Sequence, residues 1–243
     1  VFYIVKIMKV SEKRTAYEWG ILWMLLSGTF LSLSFLFLKI NIEFLNYYFL
    51  LFLRFFIPLV ILFILVALYK AWHGLFSLST LRIQLMRSFC VIVSQYGIAY
   101  YITQNSLLNA TVLINAAPLF IPFLEWIFLS RPPGKSTLLG AAISFFGVIL
   151  VLQPDHTLFT ITSGIGIIAA LGQAGSQVLF GFKSKSENIL KSLFLLFLFT
   201  TLFSLIVYLF AGNFQIKSSA QISAWPIFWS VVIMGGSTLL NQY

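Results

Sequence analysis

A charged residue inside an apolar run is the first feature of this chain that could do chemistry. Arg54 lies within the run Phe44–Tyr69, near its middle. A charge at the centre of a membrane span costs roughly 3 kcal/mol on insertion scales, so it must face the protein interior or water and find a partner. Its planar fork suits a substrate carboxylate or phosphate. The competing reading is a structural cation capped by helix carbonyls or by a polar neighbour. Glu125 is the one acid well inside an apolar run. It could pair with Arg54 or carry a coupling proton. Helix rise, however, sets it roughly 13 Å below Arg54 along the membrane normal. A carboxylate there can instead snorkel towards Arg131 or Lys135 at the interface.

Glu125 closes a stripe of Thr111, Asn115, Pro118, Pro122 and Glu125. The steps are four, three, four and three, so all five fall on one helical face. A polar, proline-broken stripe suggests a path or site facing the protein interior; the alternative is a packing face with one snorkelling carboxylate. Gln173 and Gln177 are four apart, and Gly166, Ala170 and Gly181 extend their face. Such glutamines either line a cavity or tie helices together. Ser88, Gln95 and Tyr96 are polar points in a further apolar run, with Tyr100 and Tyr101 near its end. Those two tyrosines read more readily as an interfacial belt than as a ligand cage. Pro58, Pro118 and Pro122 interrupt helix bonding and give either bending points for alternating access or static kinks.

The residues of an enzyme are scarce. Six acids, the distant His73 and His156, and the single Cys90 form no constellation for acid–base, nucleophilic or zinc chemistry. One cysteine allows no disulfide within the chain. There is no glycine-rich ATP-binding loop and no ring of like charges for a channel filter. No cofactor is expected, and the chain is not expected to be an enzyme.

The elements that must position these residues follow from composition. The 243 residues are 60% hydrophobic and only 9% charged, against about 25% charged in soluble domains. This is the composition of an all-α integral membrane protein. Apolar runs predict spans at about Trp19–Leu38, Phe44–Tyr69, Ile83–Thr103, Ser106–Leu129, Ser136–Leu152, Gly164–Phe182, Leu190–Ala211, and from Ala224 onward. Residues 1–18 precede them as a cytoplasmic N-terminal segment. Alternating these spans puts Lys6, Lys9, Lys13, Arg14, Lys70, Arg82, Arg87, Arg131, Lys135, Lys183, Lys185 and Lys191 on one side, and only Lys39 and Lys217 on the other. The positive-inside rule then sets the N-terminus in the cytoplasm. A net charge of +9 distributed this way orients a membrane protein and does not imply nucleic acid.

The first and sixth spans superimpose without gaps. Gly20 falls on Gly164, Gly28 on Gly172, Ser32 on Ser176 and Lys39 on Lys183; one insertion further on, Phe49 to Leu53 fall on Phe194 to Leu198. Five spans separate the copies, and an odd number inverts the second. Inverted repeats are a common architecture of secondary transporters, with the site near the midplane. Residues 19–152 form the first five-helix repeat and 164–243 the second, incomplete at about three helices. About eight helices of a ten-helix fold are then present, with two expected beyond Tyr243.

These residues resemble the drug/metabolite transporter superfamily, specifically its EamA-type members. The resemblance rests on the Gly-opened first helix ending in Lys39, on Leu53-Arg54-Phe55, and on Asn109-Ala110-Thr111, Ala117-Pro118-Leu119, Gly140 and Gly147-Val148-Ile149. The family often carries a Gly-Glu pair where the fourth helix meets its turn; here Leu129-Ser130-Arg131 stands there instead. The resemblance implies a secondary transporter in a bacterial cytoplasmic membrane, working by alternating access. An exporter of amino acids or related small polar metabolites is expected first. The alternatives are uptake or exchange of a nucleoside-type metabolite such as S-adenosylmethionine, or a non-transporting membrane structural or assembly protein or inactive fragment. The expected partners are a small-molecule substrate and the lipid bilayer. Proton or exchange coupling and a homodimer are left open.

Overall fold

The computed structural model describes residues 25–26, 28–42, 45–70, 78–130, 132–152, 161–183, 189–211, 229, 231–233 and 235–236. The N-terminal segment 1–18, His73, His156 and the start of the last expected span lie outside them. The described elements are all helical: α1 (Gly28–Ile42), α2 (Tyr47–Leu68), α3 (Leu78–Gln104), α4 (Leu107–Asn115), α5 (Ala117–Leu129), α6 (Lys135–Leu152), α7 (Ile161–Lys183) and α8 (Ile189–Ala211). The breaks between them have local causes. The Asn46 side chain accepts from the Tyr48 N–H at 2.9 Å and opens α2. Lys70 adopts a left-handed φ of 49° just past its end. Ser106 caps α4 in the same way.

Four stretches are long and apolar enough to cross a membrane: Tyr47–Leu68, Asn109–Phe128, Thr162–Gly181 and Ile189–Ala211. The expected third span is α3, yet it is not among them. At 27 residues it is about 40 Å long by helix rise, so length is not the reason. It carries the buried polar residues Gln84, Arg87, Ser88, Ser94 and Gln95, and this inward-facing set lowers its apolarity. α3 also begins five residues before the expected Ile83.

The expected fourth span is two helices rather than one. Pro118 has no N–H to give the Ile114 carbonyl, and Pro122 none to give Pro118. The chain breaks at Ala116, whose N–H lies against several preceding carbonyls, and α5 restarts with proline in its first turn.

α3 is the centre of the bundle. It packs antiparallel on α7: a Cβ on Gly97 would lie 3.1 Å from the Ala169 Cβ, and one on Gly172 only 2.8 Å from the Cys90 carbonyl oxygen. Small residues let these backbones approach closely. On another side α3 runs parallel to α8, with Gln84 against Ser192, Ser88 against Leu196 and Tyr96 against Ser204. α2 lies antiparallel on α8, the Tyr208 ring meeting Phe49 at 5.6 Å and Phe52 at 6.3 Å. α5 packs on α7 through Ala117, Ala170 and Ala174. The C-terminal helical residues touch α2, Gly235 lying against Ile57. Outward, the helices present large apolar residues such as Phe63, Leu139, Phe146 and Phe210, the surface a bilayer covers.

Candidate functional site

Arg54 is fully buried, at 0% exposure. Its guanidinium carbon lies over the Phe35 ring of α1, 5.0 Å from the centroid, a cation–π arrangement. Phe55, Leu50 and Leu51 are buried around it on α2. Pro58 is also buried. Having no N–H, it withholds the usual i+4 bond from the Arg54 carbonyl. The charge and the interruption of the helix thus fall at the same depth.

The helix pairings place more polar groups at that depth. Tyr208 of α8 stands beside Phe49 and Phe52 of α2. Moving one turn back along α8 reaches Ser204, and moving about one turn on along the antiparallel α2 from midway between Phe49 and Phe52 reaches Arg54. Ser204 shares a 2.8 Å hydrogen bond with the Tyr96 hydroxyl of α3. Gln95 and Thr201 are adjacent to this level and almost wholly buried, at 4% and 5% exposure. Gln95 Oε1 and Thr201 Oγ1 make no hydrogen bond among the described residues. From α7, Gln173 is buried, and its Oε1 accepts a long 3.5 Å hydrogen bond from Ser94 Oγ. An interior layer of one guanidinium, amides and hydroxyls therefore crosses α2, α3, α7 and α8, roughly 10 Å from the start of α2 by helix rise. Such groups can hold a small polar ligand and orient an anionic group. Among the described residues no cluster of three or more His, Cys, Asp or Glu could hold a metal.

The other expected site residues fall elsewhere. Gln177 is exposed, so the structure separates it from buried Gln173. The reason is axial: the buried stripe of α7 runs through Ser163, Gly166, Ala170, Gln173 and Ala174, and Gln177 continues it by helical spacing to where this face loses its cover, Gly181 a turn further on being exposed as well. The stripe expected to face the protein interior is also displaced. Ala110, Leu113, Ile114 and Ala117 are buried, with Phe120, Ile121 and Leu124 packed towards α7. Pro118 and Glu125 are exposed, and Thr111 and Pro122 half-buried. Asn115 ends α4 at the break; its side chain lies outside the described residues. Exposed Glu125 and buried Arg54 are not brought together.

Two cations were assigned by sequence to the membrane edges. Arg87 was counted with the charges of one flank, yet it is only 3% exposed, over the Phe180 ring at 4.4 Å. The early start of α3 accounts for this, since it puts Arg87 well inside the helix. Lys39 donates from Nζ to the Ile102 carbonyl at 2.7 Å, fastening the end of α1 to the last turn of α3, where the helix dipole favours a cation. Thr201 and the α3–α8 pairs were missed altogether. For the pairs, the available signal was the spacing of Ser192, Thr200, Ser204 and Tyr208 by eight, four and four residues.

A family model described as the EamA-like transporter family matches residues 18–153, more than half of the chain. No curated protein matches it.

Proposed function

This chain belongs to the EamA-like transporter family, and from that premise we propose that it moves a small polar metabolite bearing an anionic group across a membrane by alternating access between two inverted halves. Membership makes it a multi-pass membrane transporter of the drug/metabolite type. The observation that supports the finer reading is Arg54, wholly buried on the Phe35 ring at mid-depth. A guanidinium is costly there, and it suits bidentate recognition of carboxylate or phosphate. Gln95, Tyr96 and Gln173 supply amide and hydroxyl groups near the same level. Asn115, Glu125 and Gln177 stand further off, as candidates for the path rather than the binding layer. Pro58, Pro118 and Pro122 provide the bending points. Export of amino acids or related compounds is the first choice, from a cytoplasmic membrane with the N-terminus inside.

The test is metabolite profiling, inside and outside cells expressing the natural gene, against Arg54→Ala and an empty vector. Redistribution of a few anionic or zwitterionic metabolites by wild type, lost in Arg54→Ala, is the expected result. Redistribution that Arg54→Ala leaves unchanged would remove Arg54 from the site. No redistribution, with the protein verified in the membrane, would favour a structural role.

A further inference from the structure

The seam between α3 and α8 is a ladder in constant register. Gln84 Nε2 donates to Ser192 Oγ at 2.6 Å, Ser88 Oγ to the Leu196 carbonyl at 3.2 Å, and the hydroxyls of Tyr96 and Ser204 meet at 2.8 Å. Each pair is 108 residues apart in sequence. By that register Ile92 stands opposite Thr200. Two rungs are thus mismatched in kind, a serine against a leucine and an isoleucine against a threonine. The structure meets both mismatches through the backbone. Ser88 takes the Leu196 carbonyl, and Thr200 Oγ1 turns back to the Leu196 and Phe197 carbonyls of its own helix at 2.9 and 3.2 Å.

Displacing α8 by one turn towards its own C-terminus removes both mismatches. Ser88 then faces Ser192, Ile92 faces Leu196, Tyr96 faces Thr200 and Tyr100 faces Ser204. Displacement the other way leaves Gln84 against Leu196 and Ile92 against Ser204. The side chains are therefore matched in kind one turn away from the register that the structure holds, and the held register is satisfied by backbone carbonyls. That is a two-position element. The neighbouring contacts indicate what would move. α3 is held to α7 by backbone approach at Gly172 that leaves no room for a Cβ. α8 is held to α2 by aromatic rings and by the apolar cluster of Phe55, Leu62 and Val66 with Leu193 to Phe197, a cluster that also takes in Val91 and Ile92 of α3.

We propose that the α3–α8 seam is a slip plane, along which α8 and α2 shift together by one helical turn, about 5.4 Å, against α3 and α7. The shift carries Arg54 on α2 from the level of Tyr96 towards that of Tyr100, away from Gln95 on α3 and Gln173 on α7, and so changes the make-up of the interior layer. Its use in transport rests on the reading of Arg54 given above; the shift itself does not.

The test is disulfide formation in native membranes, in the intact protein with Cys90→Ala. Ser88→Cys paired with Leu196→Cys reports the register held here, with Ser192→Cys the shifted one, and with Thr200→Cys the opposite shift. Copper-phenanthroline oxidation should link the first two pairs, with the third several-fold lower. A second pair no better than the third overturns the proposal. Ile92→Cys with Leu196→Cys reports the shifted register independently, should Ser88→Cys disturb packing. Thr200→Val removes the partner awaiting Tyr96 and should lower the shifted link. Ser204→Ala removes its present partner and should raise it. Movement of both in the same direction speaks for general loosening and against a slip. The links are read with no solute added. Two registers without metabolite flux would therefore discard the transport reading and keep the slip, and flux with one register would do the reverse.

Discussion

Arg54 can be tested as a binding group or as a structural cation by separating stability from flux. Burying a guanidinium carries a desolvation cost of several kcal/mol, which an apolar side chain of similar length does not. Arg54→Met keeps the side-chain length over Phe35 and removes the charge. Its thermal stability in detergent should stay within about 1 kcal/mol of wild type, or rise, while flux is lost. A Met variant that unfolds would make Arg54 a structural cation. Gln95 and Thr201 follow the same logic. Gln95 Oε1 and Thr201 Oγ1 make no hydrogen bond among the described residues, and a buried polar group without a partner costs about 1–3 kcal/mol. Thr201→Val should therefore leave the melting temperature unchanged or raise it, and should raise the apparent KM for the metabolite identified by profiling. Of this layer, Arg54 was plain in the sequence because a lone charge in an apolar run has few bland explanations. Gln95, Tyr96 and Gln173 stood out as polar points. Thr201 did not, because a threonine beside Thr200 in a Phe/Leu-rich helix carries no sign of which one faces inward.

Helix faces show where periodicity succeeds and where it fails. The existence of each described helical run was legible, α4 and α5 as a single one, since long apolar runs bounded by polar turns leave little choice. Which face packs was less so. The stripe Thr111 to Glu125 is genuine in spacing, but α4 and α5 pack through Ala110, Leu113, Ala117 and their neighbours. In a bilayer, apolar residues pack as well outward as inward, and small residues decide the interface. Glycine pairs behave likewise. Gly28 and Gly172 are matched by the internal repeat, yet a Cβ on Gly28 would meet nothing within 4 Å among the described residues, and one on Gly172 would strike the Cys90 carbonyl and the Ser94 amide at 2.8 and 3.1 Å. Neither contact is the end of a flexible side chain. Gly172→Ala should cost about 1–3 kcal/mol, in the manner of an overpacked core, seen as a lower melting temperature in detergent. Gly28→Ala should be neutral or stabilising. Equal effects at both positions would mean that the α3–α7 contact has room for a methyl group at Gly172.

At the scale of the whole molecule, orientation rests on charge rather than on packing. Twelve cations were assigned to one side of the membrane and two to the other, leaving Arg54 within a span. Burial of Arg87 against Phe180 removes one from the larger group, and the engagement of Lys39 with the Ile102 carbonyl makes one of the smaller group a helix-end fastening. The asymmetry survives both corrections, so the N-terminus should still face the cytoplasm. Gln104 and Lys135 decide the matter because both are exposed and they flank α4 and α5, which together make one crossing. They must therefore lie on opposite sides. In the Cys90→Ala background, Gln104→Cys in intact cells should react with a membrane-impermeant maleimide. Lys135→Cys should react only after the membrane is permeabilised. The reverse pattern would invert the whole molecule. Labelling of both from outside would mean that α4 and α5 enter and leave the membrane on one side, a re-entrant pair hinged at the Ala116 break. The apolar length of Asn109–Phe128 argues against such a hairpin, because each half alone falls short of the roughly 20 residues that a crossing needs and only their sum reaches it.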